Sequence, residues 1–202
     1  MLRRIAILTL APALLTACAA VDNVYAPLDQ VAAYAWQEPG PPKLTLITAI
    51  NNRSGEGAHS ALMVSGSQRV IFDPAGSWWN PDAPERGDVK YGISPPMLDI
   101  YVDYHARPAY RMVLQEIEVT HDVAERAIAL VEAHGPTGMA TCGRSVSGIL
   151  NQLGFTEVRQ SWFPKRIMRD FARLPGVTET VVRDDTEDAH SPGVIVQAQR
   201  RR

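Results

Sequence analysis

The sequence predicts an α+β fold in which an antiparallel sheet has helices packed on one side. Segments rich in β-branched and apolar residues, separated by short turns, occupy the first part of the chain. Beyond about residue 120 the apolar spacing becomes that of amphipathic helices. Strands followed by helices, rather than strands alternating with helices, favour an antiparallel sheet over a parallel one.

The chain begins with a segment typical of exported proteins. Arg3 and Arg4 precede an uncharged, mostly apolar run over residues 5–15, which is too short to span a bilayer as a helix but suits a signal peptide. The run ends in LTAC, residues 15–18, which resembles the lipobox of bacterial lipoproteins. The resemblance implies removal of residues 1–17 as a lipoprotein signal peptide and acylation of Cys18. An ordinary secretory peptide with an incidental cysteine is the alternative.

A lipid on Cys18 would anchor the protein to a membrane of the bacterial cell envelope. In some bacteria an aspartate after the cysteine favours the inner membrane, so Ala19 points to the periplasmic face of the outer membrane. Removal of residues 1–17 leaves 18 basic against 22 acidic residues. This balance, without a basic patch interleaved with aromatics, gives no indication of nucleic-acid binding.

Composition divides the mature chain into three parts. Residues 18–42 close with EPGPP and are predicted to be a membrane tether, because prolines stiffen a spacer. Residues 43–183 are predicted to form one α+β domain. Residues 184–202 begin with an acidic run, end in three arginines and are predicted to be a disordered tail.

Four segments of the domain have strand patterns, and the second and third are predicted to form a hairpin. A three-residue turn would place His59 opposite Asp73, whereas a two-residue turn would place Pro74 there, and the sequence leaves both registers open. The predicted strands are residues 44–50, 58–64, 68–73 and 110–120. Residues 74–108 are predicted to be a long loop, in which Trp78 and Trp79 either line a binding cleft or pack within the loop.

Three segments have helix patterns. The first spans residues 122–134 and the second residues 142–153, each followed by a glycine. The third begins near Pro164 and ends before Pro175. On the second helix, Cys142 lies four residues before Val146 on the apolar stripe, so its side chain is predicted to point inward.

Cys142 is the candidate nucleophile of the domain. The first turn of a helix stabilises a thiolate, and its free amides can donate to a developing oxyanion. Thr141 is predicted to cap the helix, and Gly143 to leave room above the backbone. The alternative is a buried cysteine without chemistry, because cysteine is among the most often buried residue types.

A cysteine nucleophile needs a base, usually a histidine held by a third polar residue. His59 is the best candidate, because it begins an otherwise apolar strand after a polar, glycine-containing approach. Asp73 is the candidate third residue, although it also suits the start of a DPAG turn. The remaining histidines lack such a context: His105, His121, His134 and His190.

The order of these features resembles a known family. The chain has the segment GAHSALMV, then a strand with a polar residue, and later a helix that begins with cysteine. This order is similar to that of the circularly permuted papain-like fold of the NlpC-type superfamily. That group includes lecithin–retinol acyltransferase and bacterial envelope hydrolases. The resemblance implies Cys142 as nucleophile, His59 as base and Asp73 as the residue that orients it. It also implies cell-wall peptides or acyl chains as substrates.

Other chemistries are less well supported. The scattered histidines and single thiol show no metal-ligand spacing, and no cofactor motif is present. GRSVS, residues 143–147, lacks the final glycine of a serine-hydrolase elbow. Two functions therefore stay open: a cysteine hydrolase or acyltransferase of the envelope, and a non-catalytic lipoprotein that acts as a binding or assembly module.

Overall fold

The structure is a computed structural model that describes residues 24–184 and the backbone of residues 194–200. The strands in these ranges are β1 Lys43–Asn51, β2 Gly57–Ser65, β3 Arg69–Phe72, β4 Glu85–Arg86, β5 Val89–Lys90, β6 Tyr110–Glu118, β7 Thr178–Arg183 and β8 Val194–Arg200. The helices are α1 Leu28–Tyr34, α2 Pro95–His105, α3 His121–His134, α4 Cys142–Gln152 and α5 Pro164–Phe171. Neighbouring strands are antiparallel, in the order β4-β5-β3-β2-β1-β6-β7-β8. The predicted α+β class is confirmed.

Helices cover both faces of the sheet, which corrects the prediction that they pack on one side. Helices α3, α4 and α5 bury Ile128, Val146 and Phe171 in a core with the inward side chains of β1–β3. Helix α2 packs on the opposite face, where Tyr101 and Val102 join a second core. Because strand side chains alternate between faces, the largely buried β1 and β2 supply both cores.

The prediction of a long loop over residues 74–108 is wrong, because β4, β5 and α2 lie within it. Pro95 and Pro96 suggest a loop by composition. In the structure they occupy the first turn of α2, where the missing amide hydrogen is not needed for the helix.

Part of the predicted tether belongs to the folded domain, which therefore begins before Lys43. Val31 of α1 is buried in the first core. Trp36 stacks on Arg69, with the guanidinium 4.7 Å from the ring centroid, and Glu38 forms an ion pair with the same arginine. The Cys18 lipobox and residues 1–23 lie outside the described residues.

The predicted disordered tail also differs from the structure. Residues 194–200 form β8, whose backbone pairs with β7 at the edge of the sheet. Residues 185–193, which include His190, lie outside the described part of the chain, as do residues 201–202.

The β2–β3 hairpin has neither of the two predicted registers. Ser65 pairs with Arg69 and Val64 with Val70, so the turn is made by residues 66–68. The amide of Gly66 donates to the carbonyl of Gln68 across this turn. The shift carries Asp73 beyond the last paired residues of β3, where its side chain is free to turn towards the end of β2.

Candidate active site

Three side chains from separate elements meet at one end of the sheet. His59 lies near the start of β2, Asp73 directly follows β3, and Cys142 is the first residue of α4. His59 Nε2 lies 2.6 Å from Asp73 Oδ1. Asp73 is fully buried, the His59 side chain is 18% exposed and Cys142 is 7% exposed. The structure thus brings together all three predicted catalytic residues, and the His59 side chain is the most exposed of them.

The sulfur of Cys142 is surrounded by hydrogen-bond donors. It interacts with the His59 side chain and with the backbone amides of Ser60 and Gly143. Because Nε2 of His59 is engaged by Asp73, the contact with the sulfur falls to Nδ1. The imidazole therefore bridges the carboxylate and the thiol, as a base that is oriented by a third residue.

The electrostatics of this cluster favour a thiolate–imidazolium pair. Burial by itself raises the pKa of Cys142, but the hydrogen bond and charge of His59, with the two backbone amides, outweigh burial and lower it. Burial likewise disfavours the charged form of His59, yet the hydrogen bonds to Asp73 and Cys142 raise its pKa to about 10. Burial also raises the pKa of Asp73, but the hydrogen bond between its carboxylate and His59 outweighs burial and keeps that pKa low. A low thiol pKa beside a protonated histidine is the property of a reactive cysteine.

Helix α2 adds two residues that the sequence analysis did not assign to the site. The Tyr101 hydroxyl donates to Asp73 Oδ1 at 3.0 Å. The His105 ring lies parallel to that of His59, with centroids 6.1 Å apart, and its Nδ1 bonds the carbonyl of Tyr101. Burial lowers the pKa of His105, so a neutral imidazole lies beside the charged one. The signal for this helix was the four-residue spacing of Met97, Tyr101 and His105.

Two glycines let backbone segments approach the site closely. A Cβ on Gly143 would lie 2.7 Å from the carbonyl oxygen of Trp162. The space above Gly143 is therefore filled by the segment before α5, which corrects the prediction that the glycine leaves room there. A Cβ on Gly76 would collide with the Asp73 carboxylate, so this glycine allows the turn after β3 to fold against the carboxylate.

The backbone is strained near two members of the cluster. Among the described residues, the non-glycine positions with positive φ are Ala75 and Ala140, at 58° and 64°. Ala75 lies two residues after Asp73, and Ala140 two residues before Cys142. Such conformations persist only where the surrounding structure imposes them, and they are common at functional sites.

Thr141 occupies the predicted N-cap position of α4, but its side chain does not cap the helix. Thr141 Oγ1 donates to the carbonyl of Gly138 and forms no capping bond. This leaves the first amides of α4 without a side-chain cap, and the amide of Gly143 is one that interacts with the sulfur of Cys142.

A cleft of about 410 Å³ adjoins the first turn of α4. Its walls include Thr141, Arg144 and Gln160, and the exposed Trp162. The Arg144 guanidinium lies 5.1 Å from the centre of the Trp162 ring, so a cation and an aromatic surface lie together in this cleft. Cys142, His59 and Asp73 are not among the residues that line it.

The remaining sequence candidates lie elsewhere. Trp78 is buried and packs edge-on against Tyr101, whereas Trp79 is 69% exposed. His134 ends α3 and packs against Phe72, and His121 begins the same helix. No group of three metal-binding side chains occurs among the described residues.

The site thus has the arrangement of a Cys–His–Asp triad on an α+β scaffold. Comparison of the chain with protein-family models, with curated proteins and with solved structures finds no match. In the part of the chain that the structure describes, no helix has the length and apolar character needed to cross a bilayer.

Proposed function

We propose that this chain is a lipid-anchored protein of the bacterial cell envelope, with a permuted papain-like domain that acts as a cysteine hydrolase or acyltransferase on amide or acyl bonds. One observation carries the proposal. His59 lies between the buried Asp73 carboxylate, at 2.6 Å, and the sulfur of Cys142. The lowered pKa of the thiol follows from that contact.

In the proposed first step, the Cys142 thiolate attacks the carbonyl carbon of the substrate. The charge that develops on the carbonyl oxygen is stabilised by free amides in the first turn of α4. The His59 imidazolium then gives its proton to the leaving amine or alcohol as the carbon–heteroatom bond breaks. The product of this step is a thioester on Cys142 and a neutral histidine.

In the second step, neutral His59 takes a proton from water or from an acceptor hydroxyl or amine. That oxygen or nitrogen attacks the thioester, and the sulfur leaves as the thiolate, which restores the resting pair. Attack by water is hydrolysis, whereas attack by another acceptor is acyl transfer. Asp73, held by Tyr101, keeps the imidazole oriented through both steps.

The cleft beside α4 is the proposed position of one side of the substrate. Arg144 has no carboxylate partner among the ion pairs of the described residues. Its charge and the Trp162 ring suit a substrate that carries an acidic group on the part that lies along α4. Cell-wall peptides, which bear carboxylates, fit this requirement.

An acyl-transfer reagent tests the proposal directly. Wild type, His59→Ala and Cys142→Ser are mixed with a p-nitrophenyl ester, and intact mass is recorded within the first turnovers. We expect one acyl group on wild type, none on Cys142→Ser, and at least tenfold slower acylation of His59→Ala. His121→Ala serves as a control, because His121 is exposed and lies outside both the triad and the cleft beside α4. Acylation of wild type only after denaturation would argue against catalysis.

The proposed anchor is tested separately. Mass spectrometry of protein extracted from membranes should find a mature N-terminus at Cys18 that carries two or three acyl chains. A Cys18→Ala variant should lose the acyl chains and partition into the aqueous phase. An unmodified N-terminus at another residue would contradict the lipoprotein proposal without affecting the triad.

The second candidate function is a binding or assembly module without catalysis. The observation that favours it is the 7% exposure of Cys142, which is low for a nucleophile that must reach a large substrate. This candidate predicts a thiol that stays inert towards the ester in every folded variant.

A further inference from the structure

A second cavity, of about 380 Å³, lies on the face of the sheet that α2 covers. Helix α2 forms one wall through Leu98 and Val102, and strands β1, β2, β6 and β7 form the floor. The triad contacts α2 through Tyr101 and His105 instead. The cavity is therefore separate from the proposed active site. Its volume is at the small end of the range for small-molecule sites, about 300–1,000 Å³.

The interior of the cavity combines apolar walls with one unsatisfied hydroxyl. Leu98, Val102 and Leu114 line it together with Thr45. Thr45 is 2% exposed, and its Oγ1 has no hydrogen-bond partner among the described residues. A buried hydroxyl without a partner is unfavourable, so this oxygen is a ready acceptor for a group that enters the cavity.

The charges around the cavity are mainly negative. Asp99 and Glu116 line its rim. Glu116 pairs with Lys43 at 3.0 Å, and Arg69, which pairs with Glu38, also acts by its charge on Glu116 and Asp99. Asp99 is exposed and takes part in none of the ion pairs of the described residues, so its carboxylate gives the mouth a negative charge.

We propose that this cavity binds a small molecule with a protonated amine and an apolar body. The ammonium group would lie by Asp99 and Glu116 at the rim and donate to Thr45 Oγ1, while the apolar part fills the space beneath α2. A bare metal ion suits the site less well, because no metal-binding group of three side chains occurs among the described residues, and the walls are largely apolar.

Three matched probes test the charge requirement on the full chain. These are 4-phenylbutylamine, 4-phenylbutanol and 4-phenylbutyrate, which share one apolar body and differ in charge. Calorimetry should show one amine bound per chain, at least tenfold tighter than the alcohol, and no binding of the carboxylate. The methyl resonances of Leu98, Val102 and Leu114 should shift with the amine.

Variants locate the binding to this cavity. Asp99→Asn combined with Glu116→Gln removes two rim charges at nearly constant volume and should weaken amine binding at least tenfold. Thr45→Val should weaken it several-fold. Glu157→Gln is the charge-matched control, since Glu157 is exposed and lies outside the cavity, and it should bind like wild type.

Equal binding of amine and alcohol to wild type would overturn the proposal, as would no amine binding at millimolar concentration. Unchanged amine affinity in the folded double variant would do the same. If the double variant does not fold, the relative affinities of the three probes for wild type test the proposal by themselves. None of these outcomes depends on the triad, so the two proposals fail independently.

Discussion

The Cys142 thiol owes its predicted reactivity to His59. Burial alone would raise the pKa of the thiol, and the histidine reverses that effect. The rate of alkylation by iodoacetamide should therefore reach half its maximum at a pH below the ordinary thiol value of 9.0. In His59→Ala the thiol stays buried but loses its contact with the histidine, so the pH at which alkylation is half-maximal should rise. For each pH unit of that rise, the alkylation rate at pH 7 should fall about tenfold. The same midpoint in wild type and His59→Ala would show that the histidine does not act on the sulfur.

Tyr101 is the residue that fixes Asp73 from the opposite side of the cluster. Its buried hydroxyl donates to a carboxylate oxygen that also accepts from His59. Tyr101→Phe removes one hydrogen bond to a charged group and should lower the free energy of unfolding by about 1.5–3 kcal/mol. Urea denaturation measures this change. Tyr104→Phe is the control, because Tyr104 is 43% exposed and Phe keeps its ring contact with His105, and it should leave stability unchanged. If Tyr101→Phe and Tyr104→Phe have the same free energy of unfolding, Tyr101 does not hold the carboxylate.

At the scale of elements, the contact between α4 and the segment before α5 shapes the site. Gly143 touches the backbone of Trp162, and Ser147 holds the same segment, because its hydroxyl accepts from the amide of Ser161 at 3.1 Å. Gly143→Ala should push α4 away from the segment before α5. It should lower the free energy of unfolding by about 1–3 kcal/mol and slow acylation of Cys142.

Gly148 on the same helix provides the matched control for this prediction. A Cβ there would meet only the Gln160 amide nitrogen, at 3.4 Å, at the end of a flexible side chain. Gly148→Ala should therefore stabilise α4 by up to about 1 kcal/mol, because alanine favours a helix over glycine. Equal effects of the two substitutions would contradict the close approach at Gly143.

For the whole molecule, residues 24–42 decide where the domain begins. A chain that starts at residue 43 loses the buried Val31 and both partners of Arg69, namely Trp36 and Glu38. Because Arg69 is 4% exposed, its buried charge would lose its ion-pair partner Glu38, and only the charges of Glu116 and Asp99 would still act on it. Such a loss costs about 3–5 kcal/mol. Chemical denaturation of chains 19–202 and 43–202 should show at least that difference, whereas equal stabilities would mean that the segment is only a tether.

The sequence by itself determined the elements whose signals are local. The strand patterns of β1 and β2, the helical spacing of α3 and α4, and the place of Cys142 on the inward stripe of α4 were all predicted, because side-chain periodicity follows from backbone geometry. The short range of those signals also explains the errors. Composition alone made α2 look like a loop and residues 24–42 look like a spacer.

Only the tertiary structure decided which residues meet. The sequence proposed His59, Asp73 and Cys142 as a set, but the predicted hairpin registers were wrong, and Asp73 reaches His59 by a turn beyond the end of β3 rather than by direct pairing. Tyr101 and His105 join them because α2 packs on the second face of the sheet. Distances of this kind depend on how strands register and how helices dock, which is set by packing of the whole core and not by any single segment.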